Sequence, residues 1–504
     1  MSLATHIVQI LAIDPAAPAL EFSGDWYSWG EIARAVTVID EMLAKSGFGP
    51  DTRVGVLLRN DVAIVPAVLA LLVSERCLVT LNPILPSQKL VADVRDTQIS
   101  VLVGLSDDLD AIVDVWRDGR CLVIELTGDR SASARIRQEY DAGQGLRIDA
   151  SGVAVEMLTS GTTGPPKRVA LPRANFERSV FGAAHFEKGR ASNNGPALRS
   201  GVQLLMAPFA HIGGLLALLN AVVAGRSATL LPKFSVPGFR DAIKRHGIKV
   251  ASAPPAALKM ILDDDVPKDE LASLRAFRTG TAPLDPNLAE AFYERYQIPV
   301  LQNYGATEFG GVAGWTLADF DTFRIAKRGA VGRFNPGISG RVVDAQTGEP
   351  VEAGDPGILE LKAPQIGDGV AWLRTTDLAK LDCDGFLYIL GRADNVIIRG
   401  GFKIHPDDVV RAAESHRSIR EAVVVAMPDG RLGQVPVLAF LTKTGEQVPS
   451  GEELDQFLRG QLLPYQLPVA FHAMQDFPRT SAMKIDQAAI RLVFEELKAT
   501  GPAN

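Results

Sequence analysis

Through about residue 330, apolar and polar positions along the chain switch between two periods. Helical spacing runs over 29–45, 62–74 and 89–96, and short apolar strands fall at 53–58, 77–81 and 100–103. A second block of the same kind spans 201–301, with strands expected at 202–206, 228–231, 250–253, 276–279 and 300–302. Such β–α alternation predicts parallel sheets with helices on both faces, and two successive blocks predict paired sheets. From 332 to 390 the texture changes to short segments at 340–343, 357–361 and 385–390, set between Gly, Pro and Asp turns. These predict a small antiparallel sheet or barrel. Beyond Asp394 the order helix 406–415, strand 421–427, strand 436–442, helix 451–462 predicts a compact module. The expected fold is α/β. A large N-terminal domain, 1–393, holds two helix-covered sheets and a small β-barrel-like subdomain; a small α+β domain occupies 394–504.

Length agrees, because 504 residues exceed what one core can serve. With 47% hydrophobic and 22% charged residues the composition is that of an ordinary globular protein. A net charge of −7 leaves no general basic footprint for nucleic acid. Cys77, Cys121 and Cys383 are too scattered for a disulfide framework or a zinc site, which fits a reducing, cytoplasmic setting. No basic segment leads into an apolar run over 1–15, so no signal peptide is expected. The longest apolar stretches, 62–73 and 212–224, fall short of the roughly 20 residues of a membrane-spanning helix. They are expected as buried helices.

Chemistry enters with the segment Leu158-Thr159-Ser160-Gly161-Thr162-Thr163-Gly164-Pro165-Pro166-Lys167, directly after an apolar strand. Glycines let backbone N–H groups turn toward an anion, hydroxyls add donors and the lysine adds a point charge. This is a phosphate cradle, and not of the Walker kind, which would need glycine at Pro166 and a hydroxyl at Arg168. The segment resembles the phosphate-binding signature of the adenylate-forming superfamily, which includes acyl-CoA and aryl-CoA synthetases. Further motifs follow in that family's order over nearly the whole chain.

The resemblance implies a role for each. Met206–His211 is similar to the apolar segment ending in a histidine at the border of the acyl pocket, with Ala210 where an aromatic is usual. Gly280, Thr281, Ala282 and Pro283 would pass beside adenine, where small residues let backbone approach a flat base. In Gln302-Asn303-Tyr304-Gly305-Ala306-Thr307-Glu308, Tyr304 would lie on the adenine face and Asn303 at its edge. Thr307 would reach the α-phosphate and Glu308 would hold Mg²⁺, a hard ion that takes one or two carboxylates beside phosphate oxygens. Asp377, in a box with Thr376 in place of the usual glycine, would bind both ribose hydroxyls. Arg392 would contact ribose or phosphate, and Asp394 would be the hinge. Gly400 and Gly401 would enter a narrow tunnel beside a thiol, although the same pair reads equally as a hairpin turn. Lys484, preceded by Met483 where glycine is usual, would be the catalytic lysine bridging carboxylate and α-phosphate.

Together these imply an AMP-forming acid–CoA ligase using ATP, Mg²⁺ and CoA, with Lys484, Thr307, Glu308 and His211 as its catalytic set. A carrier-loading adenylation enzyme and a non-catalytic nucleotide-binding relative are the alternatives. The implied partners are a small carboxylic acid, ATP and CoA, without nucleic acid or an integral membrane segment; a homo-oligomer is compatible. Phe209, Gly213, Gly214, Thr281, Gly305, Phe309, Gly310 and Gly311 are expected around the acid. Many of them are small and uncharged, which points to an aromatic or medium-to-long aliphatic acid rather than one with a second carboxylate.

Overall fold

The computed structural model describes residues 1–117, 119–128, 133–141, 149–159, 167–182, 195–480 and 484–499. Among these, the first block forms a seven-stranded sheet. Its centre is parallel: Val101–Leu105, Arg53–Leu57, Cys77–Leu81 and Val153–Thr159 lie side by side, and Leu122–Leu126 extends the parallel run. Both edges, Ala134–Gln138 and Lys167–Pro172, are antiparallel. Central strands such as Cys77–Leu81 are buried at every position, as a sheet covered on both faces requires. The helix Ile64–Val73 is apolar all round and buried almost throughout, packed between the sheet and the helices Leu3–Ile13 and Trp29–Lys45. The latter starts at a reciprocal cap between Ser28 and Glu31.

The second block divides. Arg199–Leu205 and Arg226–Leu230 pair with the N-terminal strands Pro18–Phe22 and Asp25–Ser28 in a four-stranded sheet. Val250–Ser252, Ala276–Thr279 and Val300–Ala306 begin a different sheet. The alternation pattern records strands but not their partners, so this division was invisible in it. The antiparallel region then continues the third sheet edge to edge. Gly310–Gly314 folds back on Val300–Ala306, and Gly332–Phe334, Phe386–Arg392, Leu373–Leu381, Gly357–Lys362 and Ser339–Val343 follow, giving a path of nine described strands. Val300–Ala306 is longer than the expected 300–302, so the Asn303–Ala306 motif lies on a strand and not in a loop.

The small C-terminal domain is a five-stranded sheet with the helices Pro406–Glu414, Gly451–Arg459 and Gln487–Ala499. Ile419–Asp429 and Gly433–Thr442 form its central hairpin, and Phe471–Met474 runs parallel to the second of them. No helix among the described residues is long and apolar enough to cross a membrane.

Candidate active site

Strand pairing assembles the first half of the site. Asp377 and Arg392 are register partners on adjacent antiparallel strands, so their side chains leave the sheet together. The Tyr304 hydroxyl, from the strand Val300–Ala306, donates to the Asp377 carboxylate. Burial, and then the Asp377 charge, push the Tyr304 phenol far above its usual range, so it stays a neutral donor. Arg392 Nη2 donates to Thr376 Oγ1 at 2.6 Å, which gives the residue standing where glycine was expected a specific contact. Thr376 lies on the continuous strand Leu373–Leu381 and is not among the residues with a left-handed backbone, so the side chain enters without strain.

The C-terminal domain supplies the other half. Thr480 N–H donates to the Lys484 carbonyl at 2.7 Å and Arg479 bridges Ile485, a tight return that projects Lys484 toward the N-terminal domain. There Lys484 comes within electrostatic reach of Arg392, Glu308 and His211. Burial lowers the Lys484 ammonium below its usual range; Arg392 pushes the same way and Glu308 opposes. Glu308 sits exposed in the turn after Ala306, with half-buried Thr307 beside it. His211 is the residue before the helix Ile212–Val223 and makes no side-chain cap bond. Burial, helped by the Lys484 charge, pushes its imidazole down to about 4, so it is neutral near pH 7.

Asn60, unmarked in the sequence, fixes the approach to His211. It is 5% exposed, its amide donates to the carbonyls of Ala207 and Leu231 at 3.1 and 3.3 Å, and its oxygen accepts from Phe209 N at 2.9 Å. An Asn between two apolar runs was the available signal.

Small residues act differently from the simplest expectation. A Cβ on Gly280 would meet Asn303 Oδ1 at 2.1 Å and the Asn303 carbonyl oxygen at 3.0 Å, so a larger residue there would displace Asn303. Thr281 adopts φ +68°, a conformation uncommon for a β-branched residue and typical of functional segments. It lies exposed with Pro283, and Ala282 is half-buried. Gly213 faces Thr281, whose Cγ2 would lie 3.8 Å from an added Cβ. Gly305 is exposed, yet a Cβ there would strike Gly310 O at 2.3 Å, because the two strands approach closely at a bulge. Three expected pocket residues are packing residues instead. Phe209 is fully buried in the N-terminal core, and Phe309 is 5% exposed in the core beside Tyr304. Gly214 has no room for a side chain, with Pro208 O 2.1 Å from an added Cβ. Large rings next to a helix start or a strand turn are drawn into the core they adjoin.

The expected phosphate cradle lies mostly outside the described residues: Ser160, Gly161, Thr162, Thr163 and Gly164 fall there, as does Met483. Thr159 and the exposed Lys167 are register partners, so both ends of that segment are held side by side. Gly400 and Gly401 take φ +56° and +89° between Ile397–Arg399 and Phe402–Ile404, a two-residue hairpin that needs glycine-like backbone at both positions. Gly400 N–H donates to Leu432 O at 2.8 Å, and Phe402 stacks on Tyr465 at 4.8 Å. These neighbours belong to turns of the C-terminal domain.

One cation was missed. Arg278, Asn303, Gly311, Trp315 and Asn335 line a small cavity beside the strand that carries Tyr304. The signal was present in the strand's alternation, which turns Arg278 away from the face bearing Phe277 and Thr279, both fully buried.

A lysine from the C-terminal domain within electrostatic reach of a Tyr–Asp–Arg group is the arrangement of an adenylate-forming enzyme. The family model described as AMP-binding enzyme matches residues 10–370, and that of the AMP-binding enzyme C-terminal domain matches 411–484. The chain belongs to the AMP-binding enzyme family. It is 28% identical to a 2-succinylbenzoate–CoA ligase of Bacillus cereus, over 97% of this chain and 98% of the relative. A ligase of the same name from Bacillus mycoides is 27% identical over the same shares. Among solved structures, o-succinylbenzoate CoA synthetase (MenE) of Bacillus subtilis with its acyl-adenylate intermediate superposes with a TM-score of 0.77 at 25% identity, covering 96% of this chain and 97% of that one. ATP-bound MatB of Rhodopseudomonas palustris gives a TM-score of 0.83 at 23% identity, covering 99% and 100%, and is similar in fold.

Proposed function

We propose that the chain is an AMP-forming acid–CoA ligase that activates an aromatic acid. A carboxylate cannot expel oxide, so it must first be given a leaving group. One of its oxygens attacks the α-phosphorus of ATP, the bond to the β-phosphate oxygen breaks, and pyrophosphate departs from an acyl adenylate. The CoA thiol then attacks the acyl carbon and AMP leaves. Charge crowds between two anions in the first step, so the need is for placed cations rather than a nucleophilic side chain.

The observation that carries this reading is a buried Lys484, brought by the C-terminal domain within electrostatic reach of Arg392, Glu308 and neutral His211. In that place its ammonium bridges the acid's carboxylate and the α-phosphate, with Thr307 donating to the same phosphate. Tyr304 and the 280–283 segment take the adenine, Asn303 borders it, and Gly305 and Ala306 continue the strand beside it. Asp377, held by Tyr304, accepts from the ribose hydroxyls, and Arg392, held by Thr376, completes the nucleotide contacts. Thr159 through Gly164 and Lys167 would cradle the β- and γ-phosphates. Glu308 is an exposed carboxylate whose charge reaches Lys484, and no cluster of three acidic, His or Cys ligands occurs among the described residues. That donor set suits Mg²⁺ carried in on the triphosphate, where it would neutralise developing charge. The domain boundary falls at 393/394. Rotation there would withdraw Lys484 and bring Gly400 and Gly401 to the thiol for the second step.

Pyrophosphate release over a panel of carboxylic acids, with CoA or a carrier protein as acceptor, tests the reading. Release with aromatic acids and thioester formation on CoA are expected; release coupled only to the carrier, or to no acid, contradicts it.

A further inference from the structure

The helix Pro255–Asp263 packs Ala257, Leu258 and Ile261 into a core of the N-terminal domain and leaves Lys259 half-buried off that face. The Lys259 ammonium finds its acceptor in the other domain, donating to the carbonyl of Arg420. A register shift makes that carbonyl available: the ladder between Ile419–Asp429 and Gly433–Thr442 pairs Ile419 and Glu421 but skips Arg420. Glu421, the next residue, accepts from Arg479 Nη2 at 2.6 Å. Arg479 belongs to the tight return in which Thr480 N–H donates to the Lys484 carbonyl and Asp486 N–H to the Pro478 carbonyl, both at 2.7 Å. From Lys259 to Lys484 the connection is thus one carbonyl, one ion pair and one return. Burial lowers the Lys259 ammonium below its usual range; Glu421, Glu414 and Asp263 oppose this and Arg420 reinforces it.

We propose that Lys259 is a positioning residue for the first half-reaction, holding the small domain in the orientation that delivers Lys484 to the nucleotide site. This rests on the ligase reading above and adds to it a residue outside the nucleotide groups. The bond to Arg420 and the approach of Lys484 to Arg392, Glu308 and His211 occur in one and the same orientation of the two domains. Lys259 and Arg420 stand on opposite sides of the 393/394 boundary, so rotation there would part them and withdraw Lys484 together. An ammonium released in this way regains its water, so only the surplus of a charge-assisted hydrogen bond over hydration favours the first orientation. That surplus shifts the balance of the two orientations by roughly 10-fold. A modest bias suits an enzyme that must alternate, because a much tighter latch would trap the first orientation and slow the second step.

The test measures both half-reactions on each enzyme preparation: acid-dependent ATP–pyrophosphate exchange, and thioester formation from synthetic acyl adenylate and CoA. Lys259→Met removes the donor and keeps the length of the stem. Exchange should fall while thioester formation holds or rises, so that the ratio of the two rates drops by roughly 10-fold. Lys259→Arg, which still offers N–H donors to the carbonyl, should restore most of the ratio. If Lys259→Met is poorly folded, Lys259→Gln serves in its place, and the ratio on one preparation corrects for active fraction. A merely structural role would lower both rates alike. An unchanged ratio in the neutral variants, whether both rates hold or both fall, overturns the role of Lys259 while leaving the ligase standing. Absence of exchange by the unaltered protein over a broad acid panel overturns the ligase reading and this one together.

Discussion

At the scale of single residues, the site depends on neutral and charged forms being sorted by environment. His211 is held neutral by burial beside a cation, and Tyr304 is held neutral beside Asp377, so positive charge concentrates on Lys484 and Arg392. Thr376 contributes by holding one of these cations. Thr376→Val keeps the side-chain shape and removes the acceptor of Arg392, a loss of about 1 kcal/mol. KM for ATP should rise by roughly 5-fold at nearly unchanged melting temperature, and Thr376→Ser should restore it. Steady-state kinetics with calorimetry check both statements. Legibility at this scale was uneven. Tyr304, Asp377, Arg392 and Lys484 could be picked out because their types and order are specific. Thr376 was visible as a substitution, but its partner lies 16 residues away and only the strand register reveals it.

At the scale of elements, most strands and helices were legible because buried parallel strands are short apolar runs and their helices have a clear polar face. Cys77–Leu81, Ala276–Thr279 and Trp29–Lys45 emerge with the expected bounds. Pairing was not legible: the strands near 202 and 228 join the N-terminal hairpin, a contact across about two hundred residues that local periodicity cannot encode. Pocket residues were misjudged for a related reason, since Phe209 and Phe309 flank the site in sequence but turn into cores. What joins these elements is the buried Asn60, which ties the segment before His211 to the strand end at Leu231. Asn60→Ala leaves two carbonyls and one N–H without that partner, and the expected destabilisation is about 2–3 kcal/mol. Denaturant unfolding measures it, and turnover should fall as well, because His211 loses its anchored approach.

At the scale of the whole molecule, the two domains also touch through a second set of residues. Lys259, on the helix Pro255–Asp263, donates to the carbonyl of Arg420 in the C-terminal domain. Next to that carbonyl, Glu421 pairs with Arg479 at 2.6 Å, on the same return that carries Lys484. Glu414 lies in this junction, accepting from Ala422 N at 2.9 Å, with Lys259, Asp285 and Glu421 around it. Burial pushes its carboxyl up to about 7. A carboxyl whose pKa is raised on folding favours the folded, closed arrangement most below its unfolded value. That contribution falls as pH rises and is lost above about 7. Glu414→Gln should therefore match the unaltered protein in melting temperature near pH 5 and exceed it near pH 8, by about 1–3 kcal/mol in stability. Equal melting at both values would place the Glu414 carboxyl outside the junction's energetics.

The central claim is that one lysine from the small domain serves only the first of two reactions at a shared site. Lys484→Ala, assayed separately for acid-dependent ATP–pyrophosphate exchange and for thioester formation from synthetic acyl adenylate and CoA, addresses it directly. Exchange should fall by at least roughly 100-fold with thioester formation within a few-fold of normal. Equal loss of both half-reactions, or exchange that persists, would contradict it.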